Sequence, residues 1–294
     1  MNFISISKWY MYQLNFDLYQ WLRSIWYGFY CYTRDMYTAA QKKFKPKAFE
    51  VLEAEIAQTA ERFDGISRFF LADGDAMTLS FRRLKEILLC LNRYFPELER
   101  ATAYCLPRNL KNKTIEELRE LQELGLKMVY VGCESGDDKV LECVKKGETF
   151  ETSKEALLKL KAAGIKSSVM ILNGLGGRKF SEQHALNSAR LMNETQPEYV
   201  STLVVSFPMG DARFRDGFAG QFEPLQQQEL FQEIRTLIAN LDLNDTVFRS
   251  DHASNYLVLK GVLGKDKAEI LNKIDLALNK PGAIPLRQEW QRGL

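Results

Sequence analysis

From Lys45 onward, apolar residues recur in two rhythms. Helical spacing marks 49–63 (Val51, Leu52, Ile56, Ala60) and 81–94 (Leu84, Ile87, Leu88, Leu91). Short continuous apolar runs predict strands at 66–72, 100–105, 128–133, 166–172 and 198–207. Thr114 followed three residues on by Glu117 reads as a capping box, opening a helix that stops at Gly125. Further helices are expected at 137–144, 152–163 and 181–193. This is a βα alternation whose strands are apolar throughout rather than every second residue. Such strands are covered on both faces, so the sheet is parallel, with right-handed crossovers. A doubly wound sheet and a barrel both satisfy the α/β pattern, and both place a ligand at the carboxyl ends of the strands. Those ends read Asp73-Gly74-Asp75, Cys105-Leu106-Pro107-Arg108, Cys133-Glu134-Ser135-Gly136, Asn173-Gly174-Leu175-Gly176-Gly177 and Phe207-Pro208. Polar, charged or glycine-rich text at the first four points to a small-molecule site.

Beyond Gly210 the alternation lapses. Helices at 226–241 and 265–278, a short strand at 246–249 and a polar tail anchored by Trp290 predict an extension, 211–294, packed on a core spanning 39–210. Residues 1–38 stand apart: three of the 4 tryptophans and a crowd of tyrosines lie there. Lys8, Asp17, Arg23 and Arg34 interrupt every apolar run, so no membrane span is expected. There is no signal-peptide pattern, and no basic face for a membrane surface. The segment reads as a packed helix or strand, or as an altered start. With 40 Lys+Arg against 38 Asp+Glu the net charge is +2, which argues against a nucleic-acid partner. The 5 cysteines are scattered, which suits a reducing, cytoplasmic setting better than a disulfide framework. Cys90 and Cys143 read as helix core, and His184 as a residue on a helix surface.

Several strand-end texts, taken together, resemble the radical S-adenosylmethionine (radical SAM) superfamily. They are Phe70-Leu71-Ala72-Asp73-Gly74-Asp75-Ala76, Tyr104 through Pro107-Arg108-Asn109-Leu110, Gly132-Cys133-Glu134-Ser135-Gly136, Lys146-Gly147-Glu148-Thr149 and Leu175-Gly176-Gly177-Arg178. The tail texts, residues 248–256 and 290–294, are similar to the endings of small members loosely related to oxygen-independent coproporphyrinogen oxidases. The resemblance runs from about residue 35 to 294 and implies a partial (β/α)6 TIM-like barrel with a helical C-terminal extension. It implies that Asp73, Gly74, Asp75 and Ala76 contact the methionine amino group of S-adenosylmethionine. Glu134 and Ser135 would reach the ribose hydroxyls or the methionine end, and Asn173, Gly174 and Gly176 the adenine and methionine. Read from the residues alone, Asp73-Gly74 is also a common turn, Ser135 a helix cap and the glycine loop a plain βα connection. Arg108, Arg178 and Lys146 are cations near strand ends that could hold a carboxylate or an acidic substrate. His252 and Asn255 are candidates for the substrate side.

The superfamily's chemistry rests on CxxxCxxC, three thiolates that hold a [4Fe-4S] cluster and leave one iron open for S-adenosylmethionine. An electron donor then drives reductive cleavage and radical chemistry on a substrate. Aligned on Asp35-Met36-Tyr37-Thr38, the three positions here are Tyr27, Cys31 and Arg34. Only Cys31 is a thiol, and an arginine cannot ligate iron. Three readings stay open: an enzyme with an incomplete cluster motif, a barrel that binds S-adenosylmethionine or a related nucleoside without a cluster, and the product of a damaged gene. The small-molecule substrate is not legible.

Overall fold

The structure, a computed structural model, describes residues 3–5, 46–72, 75–207 and 210–292. Strands β1 (Phe3–Ser5), β2 (Arg68–Leu71), β3 (Arg100–Cys105), β4 (Leu126–Glu134), β5 (Lys166–Asn173), β6 (Tyr199–Val204), β7 (Val247–Ser250) and β8 (Leu259–Val262) are hydrogen-bonded in chain order, with β1 and β8 at the ends. The helices are α1 (Phe49–Arg62), α2 (Phe81–Tyr94), α3 (Ile115–Glu123), α4 (Asp138–Cys143), α5 (Phe150–Ala162), α6 (Gly177–Thr195), α7 (Ala212–Gly217), α8 (Gln227–Asn240) and α9 (Leu263–Asn279). The chain divides into two compact units, Met1–Tyr130 with Leu160–Lys166, and Val131–Lys159 with Ser167–Leu294.

In the first unit β1, β2 and β3 are parallel, with Phe69 opposite Ala101 and Leu71 opposite Ala103. Strand alternation puts Phe69, Leu71, Ala101, Ala103 and Cys105 on one buried face. Phe69 packs there against Phe95, the rings tilted at 56° with centroids 4.5 Å apart. The opposite face carries Phe70, Tyr104 and Tyr130, with Phe70 in edge contact with the two tyrosine rings at 4.7 and 5.9 Å. Helix α2 buries Leu84, Ile87, Leu88 and Leu91, the apolar stripe of the sequence, and Ser80 caps it by accepting from the Arg83 amide. The capping box at Thr114 and Glu117 forms in both directions.

In the second unit β5, β6 and β7 are parallel, with Ser168 opposite Tyr199 and Tyr199 opposite Val247. Two elements depart from the sequence reading. Strand β8 runs antiparallel to β7, Val247 facing Val262, and its four residues carry too little pattern to be recognised. Helix α7 is one short turn, held by a cluster in which Phe218 and Phe222 pack with Phe207 and Phe214. Trp290 is not an anchor: it is 82% exposed. The tail is held instead by its arginines, Arg292 donating to the Ser254 carbonyl at 2.8 Å and lying 3.7 Å over the Tyr256 ring. Among the described residues no helix is long and apolar enough to cross a membrane.

Candidate functional site

In the second unit the site candidates sit at the carboxyl ends of β4 and β5. Glu134 closes β4 in the left-handed backbone region, φ 66°, and is 5% exposed. Its Oε1 accepts from Lys146 Nζ at 2.8 Å. Its Oε2 is buried with no partner among the described residues. A buried carboxylate oxygen that faces no donor is an acceptor held ready for one.

Ser135 is fully buried and does not cap the next helix. Asp137 caps α4, accepting from the Val140 amide at 2.9 Å, while Ser135 Oγ accepts from the Asp137 amide and pairs with His184 Nδ1 at 2.7 Å. His184 is therefore not on a helix surface. It lies on the inner side of α6, 1% exposed, and its Nε2 donates to the Leu172 carbonyl at 3.0 Å. A carbonyl only accepts, so that bond places a proton on Nε2. Gly136 lets α6 come this close: a Cβ there would lie 2.3 Å from the Asn187 carbonyl oxygen.

The glycine-rich loop after β5 is gripped by the extension. Gly174, φ 88°, donates its amide to Glu233 Oε1 at 2.6 Å, and Asn173 Nδ2 donates to the Leu230 carbonyl at 3.2 Å. Glu233 Oε2 accepts from Ser181 Oγ at 2.6 Å. Burial pushes the Glu233 carboxyl above its ordinary range. Gly176 takes the N-cap position of α6. Arg178 is half-exposed and paired with Glu223 and Glu229, each at 2.6 Å. Glu233 escaped the sequence reading, yet it was visible as an acidic residue inside the apolar stripe Leu230, Ile234, Leu237 of α8. A small cavity of about 10 Å³, the room of one water, lies beside it between Asn173, His184 and Thr202.

His252 and Asn255 lie in a turn that closes on β6. Asn255 is 3% exposed; its Oδ1 accepts from the Val204 amide at 2.9 Å and its Nδ2 donates to the Thr202 carbonyl at 2.8 Å. His252 pairs with Ser254 Oγ at 2.8 Å, and Arg287 donates to the His252 carbonyl at 2.5 Å. Burial, with Arg287 beside it, pushes the His252 imidazole down to about 4.

In the first unit Asp75 and Ala76 open the short turn Ala76–Thr78. Asp75 Oδ2 accepts from Asn109, Oδ1 is buried with no partner among the described residues, and burial raises the carboxyl. Lys113 ties the same turn by donating to the Met77 carbonyl at 2.8 Å. Arg108 is exposed on the turn Pro107–Leu110 and lowers the Asp75 carboxyl electrostatically. Asp73, Gly74, Tyr27, Cys31 and Arg34 lie outside the described residues. Cys90, Cys105, Cys133 and Cys143 are buried free thiols, and burial pushes Cys133 up to about 12. Such a thiol is a poor thiolate donor. Among the described residues no three acidic, cysteine or histidine side chains could hold a metal ion.

The second unit thus sets a buried carboxylate acceptor after β4 and a glycine-rich loop after β5. The profile of the Radical SAM superfamily matches residues 29–192, more than half of the 294-residue chain, and the chain belongs to that superfamily. Coproporphyrinogen III oxidase (HemN) from Escherichia coli, a radical SAM enzyme, has a similar fold: TM-score 0.52, 17% identity, covering 65% of this chain and 44% of that one. The structure of anSMEcpe with bound AdoMet is similar too, at TM-score 0.52 and 11% identity over 69% of this chain and 53% of that one. The chain thus spans about half the length of these two proteins. Comparison with curated proteins gives no match.

Membership implies S-adenosylmethionine and a [4Fe-4S] cluster. The residues fit the first: Glu134 Oε2 is a buried acceptor suited to an ammonium or a hydroxyl. Gly174, by contrast, has spent its amide on Glu233 and can offer a ligand only its carbonyl or its surface. The residues do not fit the second, because Tyr27, Cys31 and Arg34 supply one thiolate where three are needed.

Proposed function

We propose that this chain binds S-adenosylmethionine, or a nucleoside like it, without assembling a cluster on its own cysteines. The observation that carries this reading is Glu134, a buried carboxylate in a left-handed backbone position with one oxygen paired to Lys146 and the other unmatched. An ammonium or a ribose diol supplies the missing donor. In the first unit Asp75 also has a buried Oδ1 with no partner among the described residues, and Asp73 and Gly74 precede it in sequence. In the second unit Arg178, paired with Glu223 and Glu229, and Asn255, tied to β6, belong to the frame, and His252 stays a substrate-side candidate. A substrate and an electron donor enter only if iron does.

The test is calorimetric titration of the purified chain with S-adenosylmethionine and S-adenosylhomocysteine, before and after anaerobic reconstitution with iron and sulfide. Binding before reconstitution, weakened about tenfold or more in Glu134→Ala by the loss of one charged hydrogen bond, supports the reading. Near four irons per chain with thiolate-to-iron absorption, and binding only then, overturns it in favour of a cluster enzyme. No binding with a broad thermal transition favours a damaged product.

A further inference from the structure

Three buried polar side chains of the second unit lie in a row. It starts at Ser135, next to Glu134, passes through the imidazole of His184, and continues to Glu233, whose Oε1 lies 3.9 Å from His184 Nε2. Glu233 then accepts from the Gly174 amide and from Ser181, each at 2.6 Å. Ser135, His184 and Glu233 are 0%, 1% and 3% exposed. A serine, histidine and glutamate in a row suggest a hydrolytic triad, but the geometry forbids it. The serine is sealed from solvent, the imidazole meets it through Nδ1, and Nε2 is spent on the Leu172 carbonyl rather than on the carboxylate. Burying three such groups is expensive unless each finds partners, and here the partners are the backbones of two loops.

We propose that Glu233 and His184 are positioning residues for the nucleoside: they lock the glycine turn after β5 to the Ser135 turn after β4, and so fix the setting of Glu134. The inference rests on the binding reading above and extends it to a helix, α8, outside the stretch matched to the superfamily. Glu233 reaches the loop from 59 residues away in sequence. Its acceptor oxygens decide where the loop's first amide points. Removing them frees the Gly174 amide to turn and leaves the loop tied to α8 through the side chains of Asn173 and Arg178.

Two measurements on the full chain test this: backbone amide exchange of residues 172–181 without nucleoside, and calorimetric affinity for S-adenosylmethionine. In Glu233→Leu, exchange over 172–181 is expected to accelerate and affinity to fall about tenfold, the effect of leaving one buried donor unpaired. Glu233→Gln keeps an oxygen for the Gly174 amide and is expected to stay within about threefold of the parent, a rescue that a purely packing role does not give. If Glu233→Leu does not fold, Ser181→Ala decides. It strips one bond from Glu233, and the same acceleration with an affinity loss of about threefold is expected. Unchanged exchange in the folded variants, or affinity within twofold of the parent in Glu233→Leu, overturns the proposal. A parent chain that fails to bind S-adenosylmethionine sinks the binding reading alone, and the exchange data still decide whether Glu233 holds the loop.

Discussion

Replacing Asn255 by alanine separates a strand-locking role from a ligand-facing one. Its side chain makes three polar contacts: from the Val204 amide at 2.9 Å, to the Thr202 carbonyl at 2.8 Å and to Ser250 Oγ at 3.1 Å. At about 1 kcal/mol net for each hydrogen bond, the loss is about 3 kcal/mol. The Val204 amide keeps a second acceptor in Ser254 Oγ at 3.2 Å, which trims the figure to about 2 kcal/mol. For a chain of this length that lowers the melting temperature by about 3 °C. Asn255→Asp is expected to be at least as damaging. It still accepts from the Val204 amide but sets a carboxylate oxygen against the Thr202 carbonyl, where no donor remains. Circular-dichroism melts of the three proteins, with urea titrations to obtain the free energies, measure this directly. Asn255→Ala melting within 1 °C of the parent, with nucleoside or substrate affinity lost, would refute the strand-locking account and return Asn255 to the ligand side.

Other outcomes follow from single features. His252 takes up a proton near pH 6.5 when unfolded but only near about 4 when folded, so its contribution is complete above pH 6.5 and is lost as pH falls toward 4. The span is about 3 kcal/mol, and the NMR titration of His252 in the native chain is the check; a midpoint at 6 or above contradicts it. Gly136→Ala forces a methyl to within 2.3 Å of the Asn187 carbonyl and is expected to cost about 3 kcal/mol in urea unfolding, since both partners are backbone. Cysteine at both Tyr27 and Arg34 completes the CxxxCxxC spacing around Cys31, and iron bound after anaerobic reconstitution is expected to rise. Unchanged iron in that double variant removes the assignment of those positions.

The elements of the core could be read because their strands are apolar throughout and their helices carry one clean stripe. Helix α2 matches the reading residue for residue, and so does β3. Strand β8 and helix α7 could not, because four and six residues give too few periods to distinguish a rhythm. His184 was misplaced for a related reason. Its helix alternates small and polar residues, Ala185, Ser188 and Ala189, which look like a solvated face but are buried against the close approach that Gly136 allows. Trp290 misled in the opposite sense, since bulk alone suggested an anchor that Arg287 and Arg292 supply through carbonyl bonds.

The candidate site was half legible for the same physical reason. The site candidates stand at strand ends, where loop text is distinctive: Glu134 and Gly174 are conspicuous among apolar neighbours. Residues that aim them stand on helices far along the chain, and nothing local announces the pairing of Glu233 with Gly174. A buried carboxylate inside an apolar stripe is nevertheless an anomaly that needs a partner, and the partner must be a donor with no other acceptor. A backbone amide in a left-handed glycine turn answers that description, because no regular ladder claims it. The same rule singles out Glu134 Oε2 and Asp75 Oδ1, the two buried carboxylate oxygens with no donor among the described residues. On this logic the nucleoside reading and the missing thiolates are independent. The positions aligned to the cluster motif are residues 27–34, whereas Glu134 stands at the end of β4 and α8 holds the loop after β5, so loss of the first leaves the second intact.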